Sequence, residues 1–496
     1  MLRSKLLNHP FSIPAVGGLL FILWVAGCGV SKSSSDPTAP TTPPAGPQTY
    51  FAPSVSVDGA GLGMNTYTFD DKLATFSQTI FNNLQTSQPG SQVLNAGHFS
   101  ASQRGLRSLS IYTTYIFNPS PPAYVPTDLT HLTNVVTSSF ALELAGQAGG
   151  FAQLQLSGKD ANGQELSIQQ PVVPLVAATQ CPNLSSAQTY QFVTIPGSLI
   201  PAGTGPIGAA WDPTTETAYG NVDISSNGST VNFKNIQQFK LPSIGGKSTP
   251  AQPPSSSVTG ICGPTNFGNT IVVPGQVVIT NPGVPGSGNN TVSPQATIGI
   301  GSSGLLVEDN SGSGGGTLAG SSPLLPYDNV LGAGTGAVGL PKPSTALDTS
   351  AVVGAQYLGF IYAAGVYNGP HVSSGWSSHL ASFGPSTVPS GCSPVATKTN
   401  TLIYGGDFIN DNPSASSNGF GNSDFAIDLS SQDSANNGFY PHATVWVGAC
   451  YAGNSTGATY SFPAVAIAGQ LNGKYAVFLI GTDSTQPWAI YLLQSN

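Results

Sequence analysis

Glycine and proline interrupt this chain so often that no long helix can be written through it. The 496 residues include 61 glycines and 41 prolines. Inside a helix, Gly costs about 1 kcal/mol and Pro about 3 kcal/mol relative to Ala. Strong helix formers are scarce as well, with four glutamates in the whole chain. Yet 39% of the residues are hydrophobic, enough to bury a core. Short apolar runs between turn residues form strands, and strands joined by tight turns form meanders.

Two hairpins are almost explicit. Thr217–Ser226 and Ser229–Phe239 flank Asn227-Gly228, and Ala464–Leu471 and Lys474–Ile480 flank Asn472-Gly473. Asn-Gly supplies the positive φ angles of a type I′ turn. In the first hairpin Val222 and Ile224 alternate with Asn221, Asp223 and Ser225, which predicts one wet face. Tyr475–Ile480 and Trp488–Leu493 are apolar on both faces, the pattern of strands buried on both sides. Further strands are expected at Asn65–Asp70, Ser108–Phe117, Gln188–Ile195, Gln356–Ala363, Thr399–Phe408 and Ala443–Tyr451. One short helix is expected over Thr127–Val136, with Asp128 near its start.

The expected fold is all-β, with antiparallel meanders forming two β-barrel or β-sandwich-like units. A composition break near Pro171–Ser186 divides the body into residues 49–180 and 181–496. A β-propeller is the rival architecture, but no repeat of about 40–50 residues is visible.

Only 7% of the chain is charged. Three arginines and ten lysines against 21 acids, a formal net charge of −8, leave no basic footprint for nucleic acid.

The N-terminus carries an export pattern. Arg3 and Lys5 precede an apolar stretch from Ile13 to Ala26, too short for a comfortable span of about 20 residues. It ends in Val25-Ala26-Gly27-Cys28. These first 28 residues resemble a bacterial lipoprotein signal, whose lipobox is an apolar residue, two small residues and a cysteine. The resemblance implies cleavage after residue 27, lipidation of the Cys28 thiol and acylation of the new N-terminus. Two or more acyl chains make membrane attachment persistent. Residue 29 is Gly rather than the Asp that marks inner-membrane retention in many such proteins, so the resemblance points to the outer membrane or cell surface of a bacterial envelope. Residues 28–48 are rich in Ser, Thr and Pro, with prolines at 37, 40, 43, 44 and 47. Such a tether reaches about 60 Å when fully extended as polyproline.

Four cysteines follow: Cys181, Cys262, Cys392 and Cys450. An even number in an exported chain favours disulfides, and sequence neighbours favour 181–262 with 392–450.

No catalytic constellation stands out. Gly453-Asn-Ser455-Thr-Gly457 matches a nucleophile elbow, but no helix is expected after it. Gly334-Thr-Gly336-Ala-Val-Gly339 matches a dinucleotide loop, but Leu-Pro-Lys-Pro follows and cannot open a helix. Asp407, Asp411, Asp424, Asp428 and Asp433 lie close in sequence among asparagines. Clustered oxygen ligands suit calcium, while the simpler reading is turn chemistry; no other cofactor is indicated. His371 and His379 bracket Trp376, and Tyr440 precedes His442. A tryptophan among polar residues can stack on a sugar ring, so these five are the candidate ligand-binding residues.

The leading expectation is a lipid-anchored, non-enzymatic binding, adhesion or envelope structural module, partnered by the membrane and by extracellular polysaccharide or envelope components. The alternatives are a secreted glycan or ester hydrolase and a carrier of a small apolar ligand in a β-barrel.

Overall fold

The structure is a computed structural model that describes residues 46–52, 65–82, 90–101, 106–119, 122–137, 139–143, 149–177, 187–194, 216–240, 249–251, 256–259, 261–265, 268–274, 277–278, 291–292, 295–309, 336–368, 371–384, 400–408, 425–447, 460–482 and 488–495. All of these fall within one compact unit, Pro44–Asn496. The protein is almost entirely antiparallel β, as its sequence predicts, arranged in two curled sheets and a closed barrel.

The first sheet uses β1 (Gln48–Ala52), β2 (Asn65–Asp70), β3 (Thr75–Asn82), β4 (Gly90–Ala101), β5 (Leu106–Pro119), β6 (Pro122–Asp128), β7 (Thr133–Thr137), β8 (Phe140–Glu143), β9 (Gly149–Lys159) and β10 (Glu165–Val176). Pairing runs β10-β1-β2-β3-β4-β5-β8-β9, and β9 pairs in turn with β10, so the sheet curls until its ladder meets itself. Tyr67, Phe69, Phe76, Phe99, Leu154 and Leu175 are among its enclosed side chains. One level of this interior is polar. Tyr50, Tyr67, Gln78, Asn95 and Thr114 are successive cross-strand neighbours. Asn95 Nδ2 donates to Gln78 Oε1 at 2.7 Å, and Thr114 Oγ1 donates to Asn95 Oδ1 at 2.8 Å.

The second sheet uses β11 (Gln188–Thr194), β12 (Glu216–Ile224), β13 (Thr230–Lys240), β14 (Thr249–Ala251), β15 (Ser256–Thr259), β16 (Ile261–Thr265), β17 (Gly268–Pro274), β20 (Gln295–Ile300), β21 (Leu306–Asp309) and β22 (Gly336–Pro341). A separate pair, β18 (Val277–Val278) with β19 (Thr291–Val292), stands apart from it. Val222 and Ile224 are buried, whereas Asp223 is paired with Lys234 at the surface.

The barrel closes through β23 (Tyr357–Asn368), β24 (His371–Phe383), β25 (Leu402–Phe408), β26 (Phe425–Asp428), β27 (Phe439–Val447), β28 (Tyr460–Leu471), β29 (Lys474–Gly481) and β30 (Trp488–Gln494). Its two faces separate cleanly. Tyr357, Ile361, Phe383, Phe425, Val445, Phe462, Leu479 and Ile490 pack inside. Leu358, Phe360, Val465, Phe478, Ile480 and Tyr491 pack outside against Phe51 and Phe151 of the first sheet and Val193 and Val338 of the second. This explains the doubly apolar sequences of β29 and β30: one face fills the barrel, and the other joins a core shared by all three bodies.

Two local expectations are corrected. Residues 127–136 form no helix. β6 runs to Asp128, a turn follows, and β7 begins at Thr133. Asp128 Oδ1 accepts from both Thr130 N and Thr130 Oγ1. Such short side-chain bonds hold the backbone in a turn and compete with helix. The helix that is described, α1 (Thr349–Val353), lies before β23 and is capped by Asp348. The expected disulfides are the second correction, since no Sγ–Sγ pair is found among the described residues. Cys262 sits on β16 opposite Ile271, so its ladder neighbour is not a thiol. Cys181, Cys392 and Cys450 lie outside the described residues.

Candidate functional site

The two ends of the barrel are built differently. At the lower end α1 lies across the interior. Asp348 Oδ1 accepts from Ser350 N at 2.9 Å and from Ser350 Oγ at 2.6 Å, which starts the helix. Those bonds hold the Asp348 carboxyl below its ordinary range. Val352 and Val353 are buried against the barrel interior. Two tyrosines fasten the helix from inside: Tyr357 OH donates to Val352 O at 2.5 Å, and Tyr440 OH is 3.1 Å from Thr349 Oγ1. Burial raises both phenols above the ordinary value. The Gln432 side-chain amide accepts from Leu347 N and donates to Leu347 O, each at 3.0 Å, and so braces the segment leading into α1.

Above α1 the interior is filled by side chains. Large residues (Tyr357, Phe383, Phe425, Phe462) alternate with small ones (Ala381, Ala443, Ala464, Ala466, Ala468), and all are buried. An eight-stranded barrel is just wide enough for such filling. A ligand therefore has no room at this depth, and the barrel has a solid floor.

The upper end is where β23 passes to β24, β25 to β26, β27 to β28 and β29 to β30. Several sequence candidates map here by strand position. His371, Trp376 and His379 lie on β24, opposite Asn368, Ala364 and Ile361 respectively. Asp407, near the end of β25, lies opposite Ser382. Asp411, Asp424, Gly453 and Ser455 fall outside the described residues.

The remaining candidates are elsewhere. Tyr440 is buried in the floor and His442 is exposed near the start of β27, both toward the lower end. Their strand positions are at the other end of the barrel from the start of β24. Asp428 also belongs low in the barrel. It lies opposite Leu402, five residues before Asp407 on β25, which is about 17 Å at the rise of a strand. Asp433 caps its own turn by accepting from Ala435 N. The described acids are thus spread along the barrel, and among the described residues no three His, Cys, Asp or Glu side chains gather at one point. The second half of the supposed dinucleotide loop is strand β22, where Gly339 lies 2.8 Å, measured from an added Cβ, from Gln191 O. That glycine serves close strand packing.

Side chains directly opposite in an antiparallel ladder share a face. Ile361 pairs with Ile490, and both pack inside the barrel. An irregularity between β24 and β25, at Ser382/Phe383, shifts the alternation of β25. No sequence signal announces it.

No family model matches the chain, and no curated protein is similar to it.

Proposed function

We propose that this is an envelope-anchored binding protein that takes a small, largely apolar ligand at the upper mouth of its C-terminal barrel. The observation that carries the reading is the asymmetry of the barrel. One end is sealed by α1 and a packed floor, while at the other end β25 stops at Phe408 and β28 and β30 start at Tyr460 and Trp488. Concave apolar sites with a few polar groups at barrel mouths are common ligand positions. The fold itself is all-β and built of barrel and curled sheets. Among the described residues no helix is long and apolar enough to cross a membrane, and nothing follows from this for strands.

The anchor is supported by the order of n-region, apolar stretch and lipobox ahead of Cys28. Attachment through Cys28 leaves the Pro-rich tether to hold the body away from the bilayer.

The test uses the chain from Cys28 onward carrying Cys28→Ser, so that no acyl chain contributes. Titration with the neutral fluorophore N-phenyl-1-naphthylamine is expected to give saturable, blue-shifted emission. Emission that never saturates overturns the reading. For the anchor, Cys28→Ala in the full chain is expected to move the protein from the membrane to the soluble fraction. Unchanged membrane association overturns lipid attachment at this residue.

A further inference from the structure

We infer that Asn472, in the tight turn between β28 and β29, is a site of spontaneous self-modification. Its side-chain amide is lost to attack by the Gly473 nitrogen, and the product loosens that corner of the barrel. The inference is independent of ligand binding at the mouth.

The sequence holds six Asn-Gly pairs. Both residues are described at Asn162-Gly163, Asn227-Gly228, Asn437-Gly438 and Asn472-Gly473, whereas Asn368-Gly369 and Asn418-Gly419 extend beyond the described residues. Glycine suits this chemistry because no Cβ crowds its nitrogen. In three of the four described pairs the glycine N–H is engaged. Gly163 N donates to Asp160 O at 3.0 Å, and Gly228 N donates to Ser225 O at 2.9 Å. Gly438 is buried, and its N donates to Gln432 Oε1 at 2.7 Å. Asn437 Nδ2 also donates to Pro343 O at 3.2 Å. The turn at Asn472 differs. Leu471 pairs with Lys474 and the ladder resumes there, so the Gly473 N–H falls between the paired residues and has no acceptor among the described residues. Asn472 and Gly473 are both exposed, and nothing lies within 4 Å of a Cβ added at Gly473.

The step needs water and nothing else. Hydroxide removes the proton from Gly473 N, and the nitrogen attacks Asn472 Cγ. The N–Cγ bond forms, the Cγ–Nδ2 bond breaks, and Nδ2 leaves as ammonia after taking a proton from water. Water then opens the cyclic imide. Opening at Cγ leaves an aspartate at position 472. Opening at the main-chain carbonyl leaves an isoaspartate, whose chain runs through Cβ. No atom is oxidised or reduced. A nitrogen that donates a hydrogen bond gives up that bond before it attacks, which slows the three engaged glycines. The isoaspartate adds a main-chain carbon to a two-residue loop, and loop length and turn type set hairpin register. Ile467, Ala468, Leu471, Ala476 and Val477, on the two strands of the turn, are all buried, so a disturbed register there opens packed core.

The experiment ages the Cys28→Ser chain in mildly alkaline buffer, folded and in urea, and follows the peptides carrying the four described pairs by mass spectrometry. In the folded protein Asn472 is expected to convert about fivefold faster than Asn162, Asn227 or Asn437, the factor that one hydrogen bond of about 1 kcal/mol gives. In urea, where no turn holds an N–H, the four rates are expected to draw together. Isoaspartate is expected among the products at position 472, and the urea midpoint of the aged protein is expected to fall. Asn472→Gly removes the reacting amide and keeps a dipeptide that this turn favours. It is expected to hold the midpoint through ageing. If that variant fails to fold, Asn472→Gln serves, because its longer side chain closes a larger and less favoured ring. No conversion at Asn472 in the folded protein, or conversion of any of the other three at the same rate, overturns the assignment. An equal fall of the midpoint in the substituted protein overturns the loosening of the barrel alone.

Discussion

Asn95 illustrates what a buried amide does in a sheet that curls on itself. It both donates and accepts, to Gln78 and from Thr114, and all three side chains are buried. Asn95→Ala removes the donor from Gln78 and the acceptor from Thr114 together. A cost of about 2 kcal/mol is expected, since stranded buried polar groups lose solvation without replacement. Urea unfolding checks it, with the midpoint falling and the slope unchanged. The buried tyrosines give a second expectation. Burial pushes the Tyr190 phenol up to about 12 and raises Tyr67 and Tyr357 further. In the unfolded chain a tyrosine titrates near 10. Folded values above the unfolded one mean that the stabilising contribution is complete below about pH 10. It is lost as pH rises through the folded values. An ultraviolet titration is therefore expected to show these phenols silent through pH 10 and released together with unfolding. Their ionisation near 10 in the native protein would contradict their burial.

At the scale of elements, the two Asn-Gly sequences show where local reading holds and where it stops. Asn472 and Gly473 have φ of 50° and 76°, and Leu471 pairs with Lys474, the two-residue turn that the sequence predicts. At Asn227-Gly228 only the glycine has positive φ, at 71°, and Gly228 N donates to Ser225 O. The Asn227 side chain accepts from Ser225 Oγ, Ser229 N and Ser229 Oγ. That hydroxyl cage favours a longer loop over the two-residue turn. Serine on both sides decided it, a competition that a dipeptide rule omits. Gly473→Ala is expected to cost about 1 kcal/mol from backbone strain alone, because nothing lies within 4 Å of the added Cβ. Thermal unfolding of the variant measures it. The doubly apolar β29 and β30 were legible because burial on two faces removes alternation. The pairing of Trp488 with Ala363 was not legible, because the partner lies more than a hundred residues away in sequence. Asp348 sets α1 in the same local way as Asp128 sets its turn. Its carboxyl is held low by Ser350, so its capping is present above the ordinary carboxylate range and is lost as pH falls through the folded value. Asp348→Ala is expected to speed amide exchange within residues 350–354 at neutral pH, and the unsubstituted protein is expected to approach that rate only in acid.

For the whole molecule, the shared core decides how the three bodies behave. Phe151 of the first sheet stacks on Tyr491 at 5.1 Å and meets Phe478 edge-on at 5.4 Å, both from the barrel. Tyr219 of the second sheet lies 5.2 Å from Phe439 of the barrel, and Gln191 Nε2 donates to Asn437 O at 2.8 Å. Neither sheet can leave without exposing the barrel's outer wall, which is as apolar as its interior. Domains joined by polar linkers move; bodies that share a core unfold together. Phe151→Ala is therefore expected to cost about 3–5 kcal/mol, the range for a buried phenylalanine, and to destabilise the barrel as much as the sheet that carries it. With Trp211 replaced by Phe, tryptophan fluorescence follows the barrel, through Trp376, Trp446 and Trp488, and far-ultraviolet circular dichroism follows all strands. In denaturant the two transitions are expected to coincide before and after the substitution, shifted by the same amount. A barrel transition that stays in place while the rest moves would mean that the barrel stands alone. The rigid floor of its mouth would then owe nothing to the sheets packed around it.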